Sequence, residues 1–114
     1  MDARQKLAQF EDQVRRGVAT VFPDTALSVV ERGRYRLKIR VELDEKTFLD
    51  IFYNPKNDRM DFAFIHSNQR IFGYDNLGGW HRHPVEDPEN HIPCAEPSLN
   101  QVFQEMKSLV VTLT

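Results

Sequence analysis

Between residues 34 and 43 apolar and charged side chains alternate without a break. Tyr35, Leu37, Ile39, Val41 and Leu43 take the odd positions, and Arg34, Arg36, Lys38, Arg40 and Glu42 take the even ones. A period of two is the repeat of a β-strand, whereas a helix would scatter those five apolar residues around its circumference. The chain must therefore build a sheet with one dry face and one wet, cationic face.

The rest of the sequence supplies that sheet with neighbours. From Ser28 to Asn76 the period stays near two. Glu31-Arg32-Gly33-Arg34 reads as a hairpin turn before the alternating strand, and Asp44-Glu45-Lys46 as one after it. Phe48–Tyr53 follows as a strand, broken by Asn54-Pro-Lys-Asn-Asp58. Met60, Phe62, Phe64 and His66 alternate in the next strand, Ser67-Asn68 turns the chain, and Gln69–Tyr74 makes one more. Strands joined this tightly imply an antiparallel meander of four or five strands.

Helical periodicity flanks the meander. Leu7, Phe10, Val14, Val18 and Val21 recur at three- and four-residue steps, predicting a helix from about Ala3 to Ala19 that Pro23-Asp24 ends. Leu99, Val102, Phe103, Met106, Leu109 and Val110 mark a second helix, opened by Glu96-Pro97-Ser98. Val111-Thr-Leu-Thr114 reads as a frayed end or an added edge strand. The expected fold is α+β, with an N-terminal and a C-terminal helix packed on one face of the meander. At 114 residues the expectation is a single domain, 1–114.

Composition narrows the functional classes. A net charge of −2 argues against a protein that coats nucleic acid with a uniformly basic surface. No run approaches the ~18 apolar residues of a membrane span, and Met1-Asp-Ala-Arg-Gln-Lys6 lacks an apolar signal core, so a cytoplasmic protein with no membrane partner is expected. A lone Cys94 makes no internal disulfide and is expected to be inert.

Reactive side chains gather between Arg70 and His91. Tyr74, Asp75, Asn76, His81, Arg82 and His83 surround Gly78-Gly79, and residues 77–96 read as one long, proline-rich loop. If His81-Arg82-His83 is extended, its two imidazoles point to one side and Arg82 to the other. Such a pair suits proton transfer near neutral pH, with Asp75 or Glu89 orienting one ring, Arg82 meeting a phosphate and Tyr74 as a proton donor or stacking surface. A metal site is the alternative, with His91 or Asp75 joining His81 and His83 as a third ligand for a divalent ion. The metal-free route, with no cofactor, is preferred because carboxylates for a two-metal site are sparse near the loop.

Arg34, Arg36, Lys38 and Arg40 form a cation row spaced for the phosphates of a single-stranded nucleic acid, with Trp80, Tyr53, Phe52 and Phe72 as candidate stacking surfaces. The plain alternative is a solvated face neutralised by Asp50, Asp61 and Glu42.

Taken in order, these features resemble the TumE family of toxin–antitoxin toxins. The resemblance runs through the leading helix, the basic strand and a meander closing in Arg70-Ile-Phe-Gly-Tyr-Asp-Asn76. It continues into His81-Arg82-His83 and ends in Glu96-Pro97-Ser98-Leu99 at the start of a helix. It implies a cytoplasmic toxin that attacks RNA, neutralised by a TumA-type antitoxin with a helix-turn-helix part, and it maps Tyr74, Asp75, Asn76, His81 and His83 onto the family's polar motif. The chain departs from that motif at Asn76-Leu-Gly-Gly-Trp80. The expected activity is a ribonuclease in which His81 or His83 is the base for a ribose 2′-hydroxyl and the other is the acid, with Arg82 stabilising charge on phosphorus. The rival readings are a non-catalytic RNA-binding module and a partner-binding protein, including a homodimer.

Overall fold

Seven strands follow one another in a single antiparallel sheet, each paired with the next in chain order, in a computed structural model that describes residues 1–113. They are β1 (Ala26–Arg32), β2 (Leu37–Glu42), β3 (Thr47–Asn54), β4 (Arg59–His66), β5 (Gln69–Asp75), β6 (His81–His83) and β7 (Ile92–Pro93). Helices α1 (Ala3–Val21) and α2 (Leu99–Leu113) precede and follow the sheet. The α+β class and the meander are as the periodicity predicts.

Local chemistry accounts for the element ends. Asp2 accepts a hydrogen bond from the Gln5 amide while the Gln5 side chain accepts one from the Asp2 amide, a reciprocal cap that satisfies two donors at the start of α1. Helix α1 runs two residues past its expected end, to Val21, before Pro23. The β4–β5 turn places Ser67 and Asn68 at φ 50° and 65°, the left-handed pair that matches the twist of a tight hairpin. Ser98 Oγ accepts from the Gln101 amide at the start of α2. Residues Val111–Leu113 continue α2 instead of fraying or pairing as a strand; Thr114 lies outside the described residues.

Both helices lie on the same side of the sheet. Phe10, Val14 and Val18 of α1, with Val102, Phe103 and Met106 of α2, close over Leu37, Ile39, Val41, Leu49, Ile51, Phe62, Phe64 and Phe72. Each fully buried aliphatic or aromatic side chain contributes roughly 1.5–3 kcal/mol relative to exposure, so this layer dominates the stability of the fold. Gly17 lets the helices meet closely: a Cβ there would stand 2.7 Å from the buried Phe103 ring.

Two expectations change. The sheet has seven strands, not four or five, because residues 77–96 are not a plain loop. They contain β6 and β7, recruited as His81, Arg82 and His83 pair with Asp75, Tyr74 and Gly73 of β5. Strands of two or three residues are too short to show a period, so pairing with an existing edge decides them. Strand β2 also begins only at Leu37, and the turn at its start is closed by the Gly33 amide donating to the Arg36 carbonyl. Arg34 therefore sits in that turn, beside Tyr35 and α1, not on the strand.

Candidate functional site

Because the helices occupy one face, period-two alternation sends every second strand residue to the other, uncovered face. Strand register aligns these residues into rows across the sheet. One row reads Lys38, Phe52, Asp61, Asp75 and His81; the next reads Arg40, Asp50, Ala63, Gly73 and His83. The basic strand and the histidine motif, remote in sequence, thus share one surface.

At the β2–β3 end most cations hold carboxylates. Arg40 donates to both oxygens of Asp50 at 2.9 and 3.1 Å, and Lys38 lies 3.7 Å from the same carboxylate. Arg36 pairs with Glu31 at 3.0 Å. The guanidinium carbons of Arg40 and Arg36 also lie over the Phe48 and Phe52 rings, 4.1 and 5.0 Å from the centroids. Partial neutralisation by Asp50 matches the plain reading of the row, yet two cations share that single carboxylate.

Arg59 and Arg70 add cations that the sequence reading passed over. Arg70 donates to Asp61 at 3.1 Å and to the Phe62 carbonyl at 3.3 Å, stretched flat across Gly73. A Cβ on Gly73 would meet the Phe62 carbonyl oxygen at 2.3 Å and Arg70 Nη2 at 2.5 Å, so only glycine leaves space for this arrangement. The Nε atoms of both arginines are buried with no hydrogen-bond partner among the described residues. Burial, with the charge of Asp75, pushes the Asp61 carboxyl up despite the attraction of Arg70 and Arg59. A glycine three residues after an arginine, inside an otherwise bulky strand, was the available sequence signal.

The histidine corner closes the face. His83 is only 4% exposed, with Nε2 at 2.5 Å from Asp75 Oδ2 and Nδ1 at 3.1 Å from the Pro88 carbonyl. Both partners accept, so each ring nitrogen must carry a proton for both contacts to be hydrogen bonds. Burial of Asp75 alone would raise its pKa, but the His83 hydrogen bond, the Leu77 amide and the charges of His83 and Arg70 together hold it below the usual carboxylate range. His91 packs edge-on to His83 with ring centroids 4.3 Å apart, and His81 lies 5.9 Å from His91 in the same manner. His81 is half-buried, and its Nδ1 has no partner among the described residues. One ligating atom each from Asp75, His83 and His91 lie within 4.8 Å of one another. His66 stays apart at the far end of β4, hydrogen-bonded to Thr47.

Several expected site residues face the other way. Tyr74 is buried under α2 and donates to Glu105 Oε1 at 2.6 Å; burial and then Glu105 push its pKa up to about 12. Arg82 pairs with the same Glu105 at 3.3 Å and lies over the Phe72 ring. Trp80 stacks on core residue Phe62 and donates to Glu96, while Tyr53 and Phe72 are core. Asn76 is structural in its contacts, accepting from the Met60 amide and donating to the Asp58 carbonyl. Burial pushes the Cys94 thiol up. The structure thus joins Asp75, His81, His83 and His91 with Lys38, Arg40 and Arg36, and separates Arg34, Arg82, Tyr74 and Trp80 from them. Of the expected metal set, His83 and His91 converge with Asp75 in place of His81.

A helix-backed antiparallel meander with a paired-cation surface and a buried Asp–His couple at one end defines the architecture, and no described helix is long and apolar enough to cross a membrane. A family model described as toxin TumE matches residues 8–110, nearly the whole chain, so the chain belongs to the TumE toxin family. Comparison with curated proteins and with solved structures finds no match.

Proposed function

We propose that this chain is the toxin of a toxin–antitoxin pair and acts on RNA through the uncovered face of its sheet. The observation that carries the reading is the shared surface of the cation rows and the histidine corner. From β2 to β6 there are four strand spacings of about 4.8 Å, roughly 19 Å, enough to lay a short single strand across Lys38, Arg40, Arg59 and Arg70 toward His81. Phe48 and Phe52, half-buried beside the arginines, offer stacking surfaces for bases.

In this reading His81 takes the proton from a ribose 2′-hydroxyl, the group that distinguishes RNA from DNA. Its Nδ1 is buried without a partner among the described residues, so Nε2 is the ring nitrogen that meets the hydroxyl. His83, tied at both nitrogens, is a positioning residue rather than the acid, and Arg70 replaces Arg82 as the cation nearest the phosphate. The chain works in the cytoplasm, and a helix-turn-helix antitoxin holds it inactive, as the family resemblance implies.

The test is expression of His81→Ala beside the parent chain in growing cells, with total RNA examined for fragments. Loss of toxicity and of fragments, with an unchanged melting temperature, supports the reading. A folded His81→Ala protein that is as toxic and as RNA-degrading as the parent overturns it.

A further inference from the structure

We propose that Asp75, His83 and His91 form a site for a divalent first-row transition metal, zinc before others. The site goes beyond the RNA reading and does not depend on it. Two imidazoles and one carboxylate are a donor set that zinc, cobalt and nickel take readily, whereas magnesium prefers an all-oxygen, largely hydrated shell. The three candidate ligand atoms already lie within 4.8 Å of one another, and two of them belong to buried side chains anchored on adjacent strands.

A second observation is independent of that clustering. The Pro88 carbonyl accepts from His83 Nδ1, which holds the proton on that nitrogen and aims Nε2 at Asp75. Metal-bound histidines almost always donate their other ring N–H to a carbonyl or carboxylate in this way. When a cation binds, the Nε2 proton leaves to solvent and the metal takes its place between Nε2 and the Asp75 carboxylate.

His91 supplies the adjustable third ligand. It is exposed, immediately before β7, with its ring 4.3 Å from that of His83. Ligand atoms of a tetrahedral zinc with bonds of about 2.0–2.2 Å stand roughly 3.3 Å apart, so His83 Nε2 and Asp75 Oδ2 must part from 2.5 Å as the metal enters, while rotation of the His91 side chain brings in the third ligand. His81 remains outside the ligand set and keeps its unpartnered nitrogen. Three protein ligands leave a fourth position for water or a phosphate oxygen. A metal there would also tie the 84–90 turn to β5 and β6.

The experiment uses the full chain, stripped with chelator and free of RNA. Zinc and magnesium are titrated separately by calorimetry, and thermal melts are recorded with each. One zinc ion per chain, a raised melting temperature, weaker binding as pH falls and no response to magnesium are expected. Because its side chain is exposed, His91→Ala should fold and should lose at least about tenfold in zinc affinity, while His81→Ala keeps it. Cobalt should give the visible bands of a tetrahedral site in the parent chain and lose them in His91→Ala. Absence of zinc binding, or equal binding by parent and His91→Ala, overturns the site. Failure here leaves the His81 toxicity test standing, and the converse holds as well.

Discussion

Asp75 Oδ2 and His83 Nε2 lie 2.5 Å apart on neighbouring strands, with Asp75 6% and His83 4% exposed. A buried pair of this kind is strongly destabilising to break from one side, because the remaining group loses its partner without regaining water. Asp75→Asn should lower stability by on the order of 3 kcal/mol near neutral pH. The Asp75 carboxyl is depressed in the folded chain, so its stabilisation is complete above the unfolded value of about 3.9 and is lost as pH falls through the lower folded value. Urea unfolding of both proteins should show their difference shrinking as pH falls below about 4. A difference that keeps growing below about pH 4 would contradict this assignment.

Gly73 is the position where the sheet permits least change. Gly73→Ala would press a methyl group against the Phe62 carbonyl and the Arg70 guanidinium together. The expected loss is about 2 kcal/mol or more, read from the urea midpoint at unchanged slope. Truncation in Arg70→Ala/Gly73→Ala relieves only the side-chain clash, so recovery should be partial.

Tyr74 holds α2 to β5 through Glu105 and touches nothing on the uncovered face. Tyr74→Phe should cost about 1 kcal/mol, the typical net contribution of one hydrogen bond, and leave toxicity intact. In an ultraviolet titration one tyrosine should ionise only near pH 12 in the parent and be missing from the variant. Loss of toxicity in a stably folded Tyr74→Phe would return Tyr74 to the site.

Asp50 sits between Lys38 and Arg40 and neutralises both in part. Asp50→Asn keeps the shape and removes the charge, so single-stranded RNA should bind more tightly to it. The dependence of log affinity on log salt should steepen by about 0.7 for each additional phosphate engaged. Filter binding over a salt series distinguishes this from a surface that does not meet RNA, where the substitution would leave affinity unchanged.

Much of the architecture was legible in the sequence because it follows from periodicity. Alternation from Tyr35 to Leu43 identified β2 and its dry face, three- and four-residue spacing identified both helices, and Ser67-Asn68 announced its turn. The TumE resemblance, too, was readable from the order of motifs. Chemistry was less legible, since residues 77–96 carry glycine, proline and polar groups with no repeat. His81 and His83 could be assigned to one side of a strand, but the strand itself exists only because β5 offers an edge to pair with. Sequence spacing likewise grouped Tyr74, Asp75, Arg82 and His83, although a step of one residue reverses the face. Tyr74 and Arg82 consequently point into Glu105 under α2, and Asp75 and His83 point away from it.

By itself the sequence determined both helices, the strands from β1 to β5, the buried face of the sheet and the family, all properties of local pattern. Only the tertiary structure decided which reactive groups meet. Register across β2 to β6 brings Arg40 into the row of His83, Gly73 lets Arg70 reach Asp61, and the fold-back of residues 84–91 sets Pro88 and His91 on His83. Each of these contacts depends on pairing between strands, a relation that no single stretch of the chain encodes.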